Sequence, residues 1–91
     1  MAMTHRWSVD IYIDEHEETG LIHAEARLHT NDKTQLIGHG SAHRHPKDTQ
    51  VAEIGDELAV ARALSELSHH LVHAVARDLE DVNKRFHSAD R

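Results

Sequence analysis

Histidine is the residue type here that could do the most chemistry. The chain has 91 residues, eleven of them histidine. Imidazole titrates near neutrality and is the commonest metal ligand. The formal charge is −6 with histidine neutral, and the sequence pI is 5.9. With an unperturbed imidazole pKa of roughly 6.5, a fall of about one pH unit would charge many of the eleven and cancel much of the negative balance. A pH-responsive or metal-responsive module is therefore one reading. A titratable, solvated surface is the other, and it is the one we expect, because most exposed polar side chains are only hydrated.

Two groups have ligand-like spacing. His23, Glu25, His39 and His43 fall on one face of two alternating runs. Imidazoles and a carboxylate on adjacent strands are zinc ligands by type. A flat, exposed sheet, however, seldom supplies convergence or supporting hydrogen bonds. We therefore expect a solvated or partner-covered face, and no metal or other cofactor. His69 and His73 stand at i, i+4, a chelating spacing on a helix. No glutamate follows His69, so the zinc-protease pattern is absent. Glu66 lies within reach of His69 and His70.

Catalysis is not expected. Ser41 sits between His39 and His43, but alternate strand residues stand roughly 7 Å apart, too far for a direct serine–histidine hydrogen bond. Gly38-His39-Gly40 lacks the third glycine and the following helix of a phosphate-binding loop. Without cysteine there is neither a thiolate site nor a disulfide framework. The acidic balance argues against nucleic acid as a partner. The most basic stretch, His43, Arg44, His45 and Lys47, reads as an ordinary connection. No apolar run resembles a signal peptide or a membrane span, so a cytoplasmic protein is expected, with no membrane partner.

The elements that must position these residues are legible. Pro46, the single proline, separates two halves. Residues 6–43 alternate with period two and predict strands over about 6–16, 21–30 and 34–43. Trp7, Val9, Ile11 and Ile13 share one face of the first, which reads as half-buried; Ile22, Ala24, Ala26 and Leu28 share one face of the second. Glu17-Glu18-Thr19-Gly20 fits a four-residue hairpin loop with Gly20 in the left-handed position. That register sets Asp10 opposite Arg27, Asp14 opposite His23 and Glu25 opposite His39. A second loop centres on Asn31-Asp32-Lys33. The third strand carries Leu36, Gly38, Gly40 and Ala42 on one face, and two glycines at alternate positions predict close approach by a helix.

That helix spans about 53–86. Ala61, Leu64, Ser68, Leu71, Val75, Leu79 and Val82 recur every three or four residues, broadened by Leu58, Val60, Leu67 and Val72. Asp56 and Glu57 suit its start, and Lys84 and Arg85 its end. About 30 residues span roughly 45 Å, against roughly 27 Å for a strand of about eight residues. Part of the apolar stripe must overhang the sheet. A second copy of the chain is the simplest cover, so a homodimer is expected. The fold class is α+β: a three-stranded antiparallel meander packed under one long C-terminal helix, in a single domain over 1–91.

The strings "WSVDIYIDEHE", "IGHGSAHRHPKD" and above all "EIGDELAVARALSEL" resemble a small actinobacterial family of unknown function, well represented in mycobacteria. The resemblance runs from about Trp7 to Val82. It implies a β-β-β-α fold of the double-stranded-RNA-binding-domain-like kind, dimers, and an association with stress or dormancy, with a likeness to ribosome hibernation factors. It implies no catalytic residues. The expectation is therefore a non-enzymatic dimeric protein acting through protein contacts. The alternatives are a ribosome- or RNA-associated hibernation-like factor and a histidine-based metal- or pH-responsive module. The acidic "GDEL" at the helix start stands where an RNA binder of this shape would carry lysines.

Overall fold

Alternation, a tight turn and a glycine pair are enough to fold the first half onto the second. The computed structural model describes residues 2–31, 35–43 and 52–89. It contains β1 (Ser8–His16), β2 (Leu21–His29), β3 (Gln35–His43) and α1 (Ala52–Ala89). The strands form one antiparallel sheet in the order β1-β2-β3. Asp32, Lys33, Arg44, His45, Pro46 and Lys47 lie outside the described residues, and with them the second loop beyond Asn31 and most of the basic connection.

The expected register is the observed one. Asp10 pairs with Arg27, Asp14 with His23, and Glu25 with His39. Gly20 takes φ 73°, and its N–H donates to the His16 carbonyl at 2.8 Å. A left-handed residue there closes the β1–β2 turn without a Cβ penalty. β1 begins at Ser8, two residues inside the expected run, because Ser8 opposite His29 is the last pair. The helix runs slightly past its expected limits at both ends, with no proline inside it to stop it.

Among the described residues the core is thin, with five alanines beside three larger aliphatic residues. Ile22, Ala24, Ala26 and Leu28 of β2, Ala42 of β3, and Ala59, Ala63 and Leu67 of α1 are buried. Gly38 and Gly40 explain the seating. A Cβ at Gly38 would run into the backbone of Ala63 and Leu67, and one at Gly40 into the backbone of Ala59 and Ala63. The helix backbone therefore lies directly on β3, and the alanines let it settle there. Gly55 does not start the helix but sits inside it, over the tip of Ile22.

Two expectations about packing are corrected. Of the expected stripe of α1, Leu67 is buried and Val60 and Leu71 pack beside it, but Ala59 and Ala63 complete the sheet-facing row, while Leu64 stays 41% exposed and Ala61 and Ser68 are also exposed. Likewise β1 is exposed along its length, not half-buried. The physical reason is shared. The glycine pair draws the helix over β3 and β2, so the larger apolar residues on both elements lose the contact. Beyond the sheet the helix continues alone. At 38 residues it spans about 57 Å, and the molecule measures 66 × 33 × 18 Å.

Replacing Gly40 by alanine is expected to lower the unfolding free energy by about 1–3 kcal/mol or more, since helix backbone cannot swing aside as a side chain can. Urea unfolding reads this as a fall in midpoint at constant slope. Gly55→Ala meets only the end of Ile22 and gains helix propensity, so its midpoint should move far less. Equal effects at the two glycines would contradict this account of the seating.

Candidate functional site

The outer face of the sheet, away from the helix, gathers polar side chains into a small constellation. His23 and Glu25 alternate along β2, and His39 is the cross-strand partner of Glu25. The His39 Nδ1 and His23 Nε2 atoms lie 3.3 Å apart, with the rings stacked at 5.3 Å between centroids and 27° between planes. Glu25 Oε1 stands 3.7 Å from His39 Nδ1. One ligand-capable atom from each of the three residues falls within 4.8 Å of the others.

The carboxylate is held in place from its other side. Arg27 Nε donates to Glu25 Oε2 at 2.5 Å. The guanidinium lies 4.5 Å from the centroid of the Tyr12 ring, close enough for cation–π attraction. The bond to Glu25 also keeps the Arg27 guanidinium above its ordinary range. Thus Tyr12 on β1 steadies Arg27, Arg27 orients Glu25, and Glu25 turns its free oxygen toward the imidazoles. On the same face His29 Nε2 lies 2.9 Å from Asp10 Oδ2, a contact that is ionic only when the imidazole is protonated.

A second group sits at the outer edge of β3. That strand's free side would present unpaired backbone groups. The helix covers it. Glu66 Oε1 accepts from the His39 backbone N–H at 3.1 Å, and Arg62 Nη1 donates to the Ser41 carbonyl at 2.7 Å. His70 Nε2 lies 3.3 Å from Glu66 Oε1. Hydrogen bonding from the His39 N–H, reinforced by His70, holds the Glu66 carboxyl below its ordinary value of 4.5, against a smaller opposing effect of desolvation.

The expected ligand sets divide. His23, Glu25 and His39 come together; His43, at the end of β3, does not join them. His69 turns to its own helix, with Nδ1 2.8 Å from the Ser65 carbonyl, so Glu66 engages His70 but not His69. No group of three ligands forms around His69 and His73 among the described residues. The edge-capping role of Arg62 and Glu66 was missed from sequence. Their signal was present: Arg62, Glu66 and His70 form an i, i+4 row beside the buried alanines, on the side away from Leu64.

The opposite flank is apolar and uncovered. Val9, Ile11 and Ile13 on the inner face of β1 are 40%, 38% and 42% exposed. On α1, Leu64, Val72, Val75, Leu79 and Val82 are exposed as well. Trp7, Leu28, Leu36, Leu71, Ala74 and Val75, together with the polar Thr30 and Asp78, line a groove of about 240 Å³.

Residues 5–88 match the model of the Rv2632c-like family. The chain belongs to the Rv2632c-like family. Its similarity to the uncharacterized protein Mb1767 of Mycobacterium bovis is 51% identity over 76 residues, covering 84% of this chain and 78% of the relative. The uncharacterized protein Rv2632c of Mycobacterium tuberculosis is 44% identical over 72 residues, covering 79% and 74%. The crystal structure of Rv2632c superposes with a TM-score of 0.77 at 40% identity, covering 89% of this chain and 93% of that one. The mycobacterial family resemblance and the β-β-β-α architecture are thereby confirmed.

Within this family member the Glu66 contacts carry a pH signature. Because its carboxyl titrates lower folded than unfolded, its contribution is fully present above the ordinary value of 4.5 and is lost as pH falls through the lowered folded value. Glu66→Gln should therefore flatten the acid side of the stability–pH curve. Thermal midpoints recorded from pH 6 down to about pH 3 test this; parallel wild-type and variant curves would refute it.

Proposed function

We propose that this chain is a homodimeric, non-enzymatic protein that acts through protein contacts. One observation carries the reading: the many exposed apolar side chains on β1 and on the uncovered flank and overhang of α1. Monomeric proteins seldom leave apolar patches of this extent in water. The patch includes Trp7, Val9, Ile11, Ile13, Leu64, Val75 and Leu79. A second copy offers the same surface, and a two-fold contact buries both at once. The free edge of β1 lies along the same side, since β2 pairs only its inner edge. The long axis helps too, because the overhanging turns of one helix can lie against the shelf of the other.

We read its setting as cytoplasmic, and stress or dormancy physiology is what the family resemblance implies. Among the described residues no helix is long and apolar enough to cross a membrane. The hibernation-like alternative needs an electropositive face for ribosomal RNA, whereas the first turn of α1 carries Glu53, followed by Asp56 and Glu57. Contacts between proteins suit that charge better.

Sedimentation velocity should give twice the 10.3 kDa chain mass. Ile11→Lys and Val75→Lys should each yield a folded monomer, with the dimer dissociation constant raised by at least about a hundredfold, as expected for a charge placed in an apolar interface. A wild-type monomer at micromolar concentration, or a dimer indifferent to both changes, would overturn the reading. Salt-sensitive binding of the wild type to ribosomal subunits would favour the alternative instead.

A further inference from the structure

We propose that His23, Glu25 and His39 form a binding site for one divalent transition cation, zinc by preference, on the outer face of the sheet. The site is independent of the dimer reading, since it lies on the opposite face from the apolar shelf.

Distance is the first argument. A tetrahedral zinc with Zn–N bonds of about 2.0–2.1 Å holds two nitrogen ligands about 3.3–3.4 Å apart. His23 Nε2 and His39 Nδ1 already stand 3.3 Å apart. The Glu25 Oε1 to His39 Nδ1 distance, 3.7 Å, exceeds that edge by only a few tenths of an ångström. The third separation lies within 4.8 Å. Three corners of the tetrahedron are therefore nearly in place, on two neighbouring strands held in register by their backbone ladder. Closing the remainder takes rotation of Glu25 and of the two imidazole rings, which now stack at 27° between planes.

Support around the ligands is the second argument. Metal sites depend on groups that orient their ligands. Arg27 binds the distal oxygen of Glu25 and is itself seated on Tyr12. On the other side, Glu66 accepts from the His39 backbone N–H, tying the ligand strand to the helix. The expectation of a flat face without such support is thus not met here. The side chains of His39 and Glu25 are 50% and 21% exposed, so an entering ion has access, and the fourth position opens to water.

Ligand chemistry sets the preference. Two imidazoles and one carboxylate suit zinc, and also copper(II) and nickel(II), but not magnesium or calcium, which take oxygen ligands. In the ion's absence the two facing nitrogens can share one proton, donor to acceptor. A bound cation accepts both lone pairs, and the proton moves to the other nitrogen of its own ring, so that both imidazoles bind in the neutral form.

Isothermal titration calorimetry of the tag-free full chain with zinc chloride tests the proposal. The expected result is one equivalent bound per chain, unaffected by millimolar magnesium, with a rise in thermal midpoint. His23→Asn and His39→Asn should each weaken binding at least about tenfold, and Glu25→Gln, which keeps the side-chain shape, should weaken it too. The paired change of His69 and His73 to asparagine serves as the control and should leave the affinity unchanged. Imidazole nitrogen NMR should show His23 Nε2 and His39 Nδ1 shifting together on saturation. The absence of binding would overturn the proposal. So would retained affinity in the sheet variants, or loss of affinity only in the helix control.

Discussion

The close approach of one helix to one strand governs this molecule. Gly38 and Gly40 remove the side chains from one face of β3, and Ala59 and Ala63 remove the bulk from the facing side of α1. Backbone then meets backbone, and the helix has a single place to sit. Burial of small residues yields less apolar area than burial of leucines would. The compensation is dense contact, because dispersion attraction falls steeply with separation.

From that seating the two flanks of the helix acquire different tasks. Because α1 lies over β3, Arg62 and Glu66 reach the outer edge of that strand and satisfy its backbone groups. Because it does not lie over β1, the apolar residues of β1 and the far flank of the helix remain uncovered. One edge of the sheet is thus closed with charged side chains, and among the described residues no strand pairs with the other, beside the exposed apolar residues of β1. This asymmetry is the strongest physical reason to read the chain as one half of an assembly.

The outer face follows a separate logic. Its side chains are ordered by cross-strand pairing, not by burial. Tyr12, Arg27, Glu25 and His39 form a relay from β1 to β3, each oriented by its neighbour. Such chains of polar contact are strongest when every member has a partner. Here the chain ends at two imidazole nitrogens facing each other at 3.3 Å.

Much was legible from the residues alone, because it depends on local periodicity. Alternation set the strands, Gly20 set the first turn, and together they set the register that brings Glu25 opposite His39. The paired glycines also announced close helix packing. What the sequence could not decide was rotation. Around α1 the larger apolar residues Leu64, Val75 and Leu79 suggested the buried stripe along with Leu67, yet beside Leu67 it was Ala59 and Ala63 that took it. Hydrophobicity ranks side chains by size, whereas a glycine-lined strand selects small ones, and only the meeting of the two surfaces reveals which rule prevails. The same rotation decided that Glu66 would bind the His39 N–H and that β1 would stay exposed, whereas His23, Glu25 and His39 were brought together by the pairing of β2 with β3.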